Sequence, residues 1–329
     1  MNQATPGVCP DKILGLPSWC SGHPHMKPWD DGFLPSGAES SAKGWMIVDQ
    51  PRASRGLFRV TEDAISEDLA AKLYLSAVEV RVWGVYILKS EIFDKSLTEF
   101  PPTKEDHERH TLALHTIREF LVQSSPLLPQ DWEQTHGVVV WVITSDTNDV
   151  VAYHMDYAEM FRYQTNVVYP PMYSGTLHVT RFRDENERNA MQGGDFYAYE
   201  CGLDHYKVHG YKAMLKPISE EGQRVVTYKY RRGILVDGNF PHGSTPVTAL
   251  PPSTKRVVVG LNVFNHEIGP HAQAYPEHSQ KFNKYVKVAQ AAAASTKDVV
   301  LSIDTIRKNP KQAALLRFLL RKAKEKQLV

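Results

Sequence analysis

The chain has little of anything that would mark a specialised class of protein. Three cysteines, Cys9, Cys20 and Cys201, are scattered through 329 residues. That is too few for a disulfide framework, so a reducing compartment is expected. Long apolar runs are missing: the longest, Val138 to Ile143, falls far short of the ~20 residues a membrane span needs. An excess of charge is missing too. With 38 Lys and Arg against 37 Asp and Glu, the formal net charge is +1, which gives no global electrostatic reason to expect nucleic acid or a membrane surface as partner. The stretch Met1 to Pro6 has neither a basic segment nor an apolar one, so no secretory leader is expected and the reading is a cytoplasmic protein. No internal repeat or low-complexity tract is visible. What is present is ordinary: 42% hydrophobic and 23% charged residues, enough to bury a sizeable core.

Residues 1–45 read as an irregular arm packed on the body. Pro6, Pro10, Pro17, Pro24, Pro28 and Pro35 recur too often for helix or central strand, while Trp19 and Trp29 need something to cover. Residues 46–329 read as a single domain, with helical support over 61–125 and 275–327 around a β-core at about 137–265. Ser66 is a fitting N-cap, followed by Glu67 and Asp68 and a stripe of Leu69, Leu73, Ala77 and Val80. Thr103-x-x-Asp106 opens a second helix, and Val82 to Leu88 between the two reads as a strand. Further strands are expected at Gly137 to Thr144, Asp149 to Tyr153, Gly175 to Phe182, Asp195 to Glu200, Val225 to Tyr230, Gly233 to Val236 and Arg256 to Phe264. Short strands broken by Gly and Pro at this density suggest an antiparallel barrel or sandwich.

The β-core carries His154-Met155-Asp156. On a strand, residues i and i+2 share a face, so the imidazole and the carboxylate would point the same way. Taken alone the pair says little. Fourteen histidines, each with about a one-in-twenty chance of Asp two positions on, produce close to one such pair by accident, and a buried His bonded to a carboxylate is the plainer reading. Downstream context changes that reading. Gly193-Gly194-Asp195-Phe196 bends into a strand, His242 stands among turn residues in His242-Gly-Ser-Thr-Pro246-Val247, and a strand begins at Lys255-Arg256.

These four elements, in this order, resemble the Fe(II)/2-oxoglutarate-dependent dioxygenase superfamily, in particular its prolyl-hydroxylase-like branch, over about residues 137 to 265. The resemblance implies a double-stranded β-helix (a jelly-roll, cupin-like barrel) flanked by helices, and an oxidoreductase using Fe(II), 2-oxoglutarate and O₂. It implies His154, Asp156 and His242 as metal ligands and catalytic centre. Two imidazoles and a carboxylate on one face of an iron leave three positions open, which suits oxygen activation. Arg256 would hold the distal carboxylate of 2-oxoglutarate, since a buried carboxylate needs a cation and a guanidinium offers a planar, always protonated fork. The implied chemistry releases succinate and CO₂ and oxidises an unactivated C–H by hydroxylation, desaturation or cyclisation. Asp156, where halogenating relatives have Gly or Ala, implies hydroxylation-type chemistry.

Many relatives place Ser or Thr two residues after this arginine; here Val258 stands there. A second partner for the distal carboxylate must come from elsewhere, and Thr176, His178 and Thr180 share one face of their strand. Thr176 and His178 are therefore further co-substrate candidates. Two insertions, Tyr157 to Ser174 and Cys201 to Arg232, are rich in tyrosine, and the second also in Lys and Arg. Loops over a barrel mouth usually set specificity, so Tyr163, Asn166 and Tyr169 are substrate candidates, and a small, carboxylate-bearing substrate is expected. A peptidyl hydroxylase and a non-catalytic cupin-like barrel are the alternatives. His205-x-x-x-His209 reads as surface loop, and Cys9, Cys20, His23 and His25 lack zinc spacing. Oligomeric state is not legible.

Overall fold

The computed structural model of the chain describes residues 26–28, 46–48, 57–80, 82–124, 127–151, 153–158, 161, 167–200 and 222–267. The chain divides into two compact units, 1–283 and 284–329, and the second lies wholly outside the described residues. The helix expected at 275–327 lies outside them, as does the arm at 1–45 except for one short strand.

In chain order the elements are β1 (Met26–Pro28), β2 (Met46–Val48), β3 (Phe58–Thr61), α1 (Glu67–Val80), β4 (Val82–Leu88), α2 (Lys89–Phe93) and α3 (His107–Ile117). The last runs on into a π-helical stretch, Arg118–Gln123. Then come α4 (Pro129–Gln134), β5 (Gly137–Ser145), β6 (Val167–Val168), β7 (Tyr173–His178), α5 (Glu185–Ala190), β8 (Gln192–Gly193), β9 (Phe196–Tyr199) and β10 (Gln223–Val226). The described part closes with β11 (Gly233–Asp237), β12 (His242–Ser244), β13 (Val247–Ala249) and β14 (Arg256–Phe264). Among the described residues the fold is mainly antiparallel sheet with few helices. The largest sheet has six strands in the order β3-β11-β7-β14-β5-β4, all antiparallel, and a smaller one has the order β10-β9-β12.

The six-stranded sheet has two working faces, and strand alternation decides what goes to each. Val257, Val259, Leu261 and Val263 of β14, Val138, Val140 and Val142 of β5, and Leu177 of β7 join one core with Leu69, Leu73 and Ala77 of α1 and Ala113, Leu114 and Ile117 of α3. The opposite face of β14 therefore carries Arg256, Val258, Gly260, Asn262 and Phe264, and that of β7 carries Ser174, Thr176 and His178. A second cluster, Phe196, Ala198 and Val226 with Ile234, Val236 and Phe240, joins the small sheet to the large one. The two sheets thus face each other.

Local signals explain most boundaries. Ser66 caps α1, its Oγ accepting from the Leu69 N–H at 3.3 Å, while Glu119 near the start of the π-helical stretch accepts from both the Ser66 N–H and its hydroxyl. Val80, expected on the buried stripe, is 37% exposed, because the stripe ends at Ala77. The Thr103-x-x-Asp106 box is not used: Asp106 adopts a left-handed conformation (φ 55°) without a side-chain cap. None of the described residues from Asp149 to Tyr153 belongs to a strand. That segment is tied to β12 by scattered bonds, the Val151 N–H donating to Ser244 Oγ and the Ser244 N–H to the Val151 carbonyl, and regular pairing is confined to a single bridge at His154.

Candidate metal centre and anion site

That bridge builds the centre. His154 and His242 are paired antiparallel, each N–H donating to the other's carbonyl at 2.9 and 2.8 Å, so two imidazoles from distant segments stand with ring centroids 4.5 Å apart. Asp156, two residues on, closes the set: Oδ1 lies 3.3 Å from His154 Nε2 and Oδ2 lies 3.5 Å from His242 Nε2. One ligand atom from each residue lies within 4.8 Å of the others. The two residues of His-x-Asp do converge, but through a bridge and an irregular step rather than along a regular strand.

The chemistry of the set fits a cation. His242 Nδ1 lies 2.9 Å from the Phe240 carbonyl, which can only accept, so Nδ1 carries the proton and Nε2 presents a lone pair. That lone pair faces a carboxylate, which also only accepts. Burial pushes the His242 imidazole toward neutrality, and though Asp156 opposes this its pKa lies below the ordinary value. Burial would raise the Asp156 carboxyl, but the two imidazoles outweigh burial and hold it well below the usual carboxylate range. An ionised carboxylate and a His242 imidazole disposed to neutrality are states that suit a metal.

Along β14 the same face reaches Arg256. Its guanidinium is almost fully buried, with one NH₂ donating to the Gly194 carbonyl at 2.9 Å and Nε without a partner. Burial lowers its pKa, opposed by the Tyr228 phenol and Asp195, but a guanidinium stays charged. His178, beside Val258 in the β7–β14 register, is fully buried. Its Nδ1 accepts from the Lys229 N–H at 3.3 Å, so the proton sits on Nε2, and Nε2 has no partner. Two buried donors without acceptors are costly unless an anion meets them.

Thr180 is spent inside the protein: its hydroxyl accepts from the Val257 N–H and pairs with the Tyr228 hydroxyl. Thr176 lies half-buried on the His178 face. Tyr228 lies flat on His178, centroids 4.1 Å apart and planes at 14°, and Asp195 pins it by accepting from its N–H at 2.8 Å. Of the substrate candidates, Tyr169 is fully buried, stacks on Phe264 and donates to the Asn265 side chain, while Tyr163 and Asn166 lie outside the described residues. So do His205, His209 and the Cys9, Cys20, His23 and His25 group.

Sequence reasoning assigned no role to Gly194, and it missed Tyr228 and Asn262 as site residues. Gly194 sits at φ +74°, and a Cβ there would lie 2.6 Å from Arg256 Nε. The signal was present as Gly-Gly before an acid. Asn262 was visible as the lone amide in the apolar run Val257 to Phe264.

A pH dependence follows from His178. Burial first, then the Arg256 and Arg232 charges, push its pKa well below the ordinary 6.5. Below that ordinary value the unfolded chain binds a proton that the native chain excludes, so stability falls as pH falls, by up to about 1.4 kcal/mol per unit. Urea unfolding at about pH 7.5 and pH 5.5 is expected to show a larger loss in the parent than in His178→Gln. Equal losses would place the acid sensitivity elsewhere.

No protein-family model and no curated protein matches the chain. Among solved structures it is similar to a prolyl-4-hydroxylase of Pseudomonas putida, at 11% identity and TM-score 0.33, covering 64% of this chain and 88% of that one. It is similar to a prolyl 4-hydroxylase of Phytophthora capsici, at 13% identity and TM-score 0.34, covering 71% and 68%. A third likeness is to an oxidoreductase of the 2OG-Fe(II) oxygenase family from Burkholderia pseudomallei, at 12% identity and TM-score 0.36, covering 66% and 87%. Among the described residues no helix is long and apolar enough to cross a membrane.

Proposed function

We propose that this chain is a non-haem Fe(II)- and 2-oxoglutarate-dependent oxygenase built on a double-stranded β-helix. One observation carries the reading: His154, Asp156 and His242 bring one potential ligand atom each within 4.8 Å of the others, and the face of β14 that reaches this set begins at the buried, under-partnered Arg256. Two imidazoles and a carboxylate gathered at one point suit a cation, and a buried cation with a free donor calls for an anion. A keto-diacid provides that anion at one end and metal-binding oxygens at the other. Two mutually facing antiparallel sheets with a core between them support the barrel architecture.

His154, Asp156 and His242 would hold the iron. Once bound, the metal supplies oxygen activation coupled to decarboxylation of 2-oxoglutarate to succinate and CO₂. The protein's own part is positional. Arg256 and the His178 Nε2–H would bind the distal carboxylate, Tyr228 keeps the His178 ring flat, and Gly194 leaves room for the guanidinium. Val258, between Arg256 and Asn262 on that face, offers no hydroxyl, and His178 takes the role of second donor.

The substrate on this reading is a small organic molecule oxidised at a C–H bond. The described cations of the second insertion are matched by acids: Arg224 by Glu200, Lys229 and Arg232 by Glu62, Arg231 by Asp63. Selection of a carboxylate-bearing substrate therefore falls to Lys207, Lys212 and Lys216, outside the described residues. A metabolite panel in which neutral compounds turn over and acids do not would reject that selectivity.

The oxygenase reading is tested by adding Fe(II) and 2-oxoglutarate without oxygen. A weak visible charge-transfer band is expected, and admitting O₂ should convert 2-oxoglutarate to succinate. Absence of both the band and succinate would leave a binding barrel without this chemistry.

A further inference from the structure

Asp156 is gripped from behind. The Asn262 side-chain amide donates from Nδ2 to Asp156 Oδ2 at 2.7 Å, and its Oδ1 accepts from the Trp141 indole N–H at 2.8 Å. This chain of bonds has only one direction. An indole N–H can only donate and an ionised carboxylate can only accept, so the amide between them cannot flip. Asn262 is 7% exposed, and Trp141 stands on β5 directly opposite Gly260 of β14. Gly260 is what lets the indole lie across β14: a Cβ there would fall 1.9 Å from Trp141 Cε2. The ring then leans to Asn262, the next residue on the same face, a diagonal cross-strand contact.

Resting on the metal reading above, we propose that Asn262 is a positioning residue for the metal and that Trp141 locks it in place. The amide takes a lone pair of Asp156 Oδ2, so Oδ1, the oxygen nearer His154 Nε2, is the one presented to the ion. An amide donor on Oδ2 disfavours that oxygen as a ligand and would bias the carboxylate toward binding through Oδ1, leaving coordination positions for co-substrate and O₂. Gly260, Trp141 and Asn262 thus form a fixed support for a ligand that no regular strand holds.

The test is metal binding, independent of turnover. Mn(II) affinity is measured by EPR titration, and the Co(II) absorption spectrum reports coordination, in the parent, His154→Ala, Asn262→Ala and Trp141→Phe. Asn262→Ala is expected to bind Mn(II) on the order of 10- to 100-fold more weakly, the usual effect of losing a partner of a metal ligand. Its Co(II) spectrum should shift, because the freed carboxylate can bind through both oxygens. Trp141→Phe keeps a ring over Gly260 but loses the N–H, and should move both readouts in the same direction by less. Parent-like affinity and spectrum in folded Asn262→Ala would overturn the proposal. If that variant does not fold, a parent-like Trp141→Phe would do so. A fall in melting temperature with both readouts unmoved would mean a purely structural role and also overturn it. A parent chain that binds no Mn(II), or a His154→Ala variant that binds it equally well, would instead remove the metal centre itself.

Discussion

Replacing Asp156 with alanine is expected to abolish tight Fe(II) binding and, with it, succinate formation. The carboxylate is the only anionic member of the set and the one that both imidazoles face, at 3.3 and 3.5 Å. Without it the ion would keep two neutral ligands in a buried site, with the Asn262 amide left without an acceptor. The loss in metal affinity should exceed the ~10- to 100-fold typical of removing an outer partner. Isothermal titration with Fe(II) or Mn(II), beside a succinate assay, checks both effects. Acidification offers a second check on the parent. The carboxyl is held well below its usual range, so release of the metal at low pH should follow protonation of the imidazoles. Retention of micromolar Fe(II) affinity by Asp156→Ala would show that the three side chains meet for another reason.

Gly194→Ala should disable co-substrate binding while sparing the metal. Two effects act together. An alanine at φ +74° carries left-handed strain of about 1–2 kcal/mol, and its methyl would stand 2.6 Å from Arg256 Nε, where a guanidinium buried among packed residues has little room to retreat. Arg256→Met is the companion variant, keeping the length of the side chain and removing its charge. Losing one partner of a buried, hydrogen-bonded charge pair costs about 2–5 kcal/mol, roughly 30-fold and upward in affinity. Both variants should raise the KM for 2-oxoglutarate by at least that factor, with Mn(II) affinity near the parent's. A parent-like KM in Arg256→Met would remove Arg256 from the co-substrate site. A change confined to Gly194→Ala would mean that the backbone turn, not the guanidinium, governs binding.

Much of this was legible in the amino acids, because some local rules act over a few residues. β-Branched runs at Val82–Leu88 and Arg256–Phe264 became strands with those bounds, since a pleated, buried surface suits such side chains. Parity within a strand placed Thr176, His178 and Thr180 on the face opposite Leu177 and Val179, and the apolar pair does go to the helix side. The resemblance carried by His154, Asp156, His242 and Arg256 in that order pointed to a metal set and an anion partner, and the structure gathers the first three and buries the fourth. The Asp149 to Tyr153 strand was misread because pairing depends on a partner's free edge, and here Ser244 meets Val151 through its side chain as well as its backbone.

Composition and pattern thus determined the kind of chain this is, a mainly β core with a handful of polar residues set into apolar strands. Tertiary structure alone decided how those residues are used. It chose His178 over Thr180 as the unpartnered donor, because Tyr228, 48 residues away, claims the Thr180 hydroxyl. It laid Arg256 against Gly194, where a Cβ would fall 2.6 Å from the guanidinium Nε, and it tied Asp156 to Trp141 through an amide 106 residues along the chain. The physical reason is that hydrogen-bond satisfaction and close approach are properties of pairs, and which pairs meet is settled only when the sheets come together.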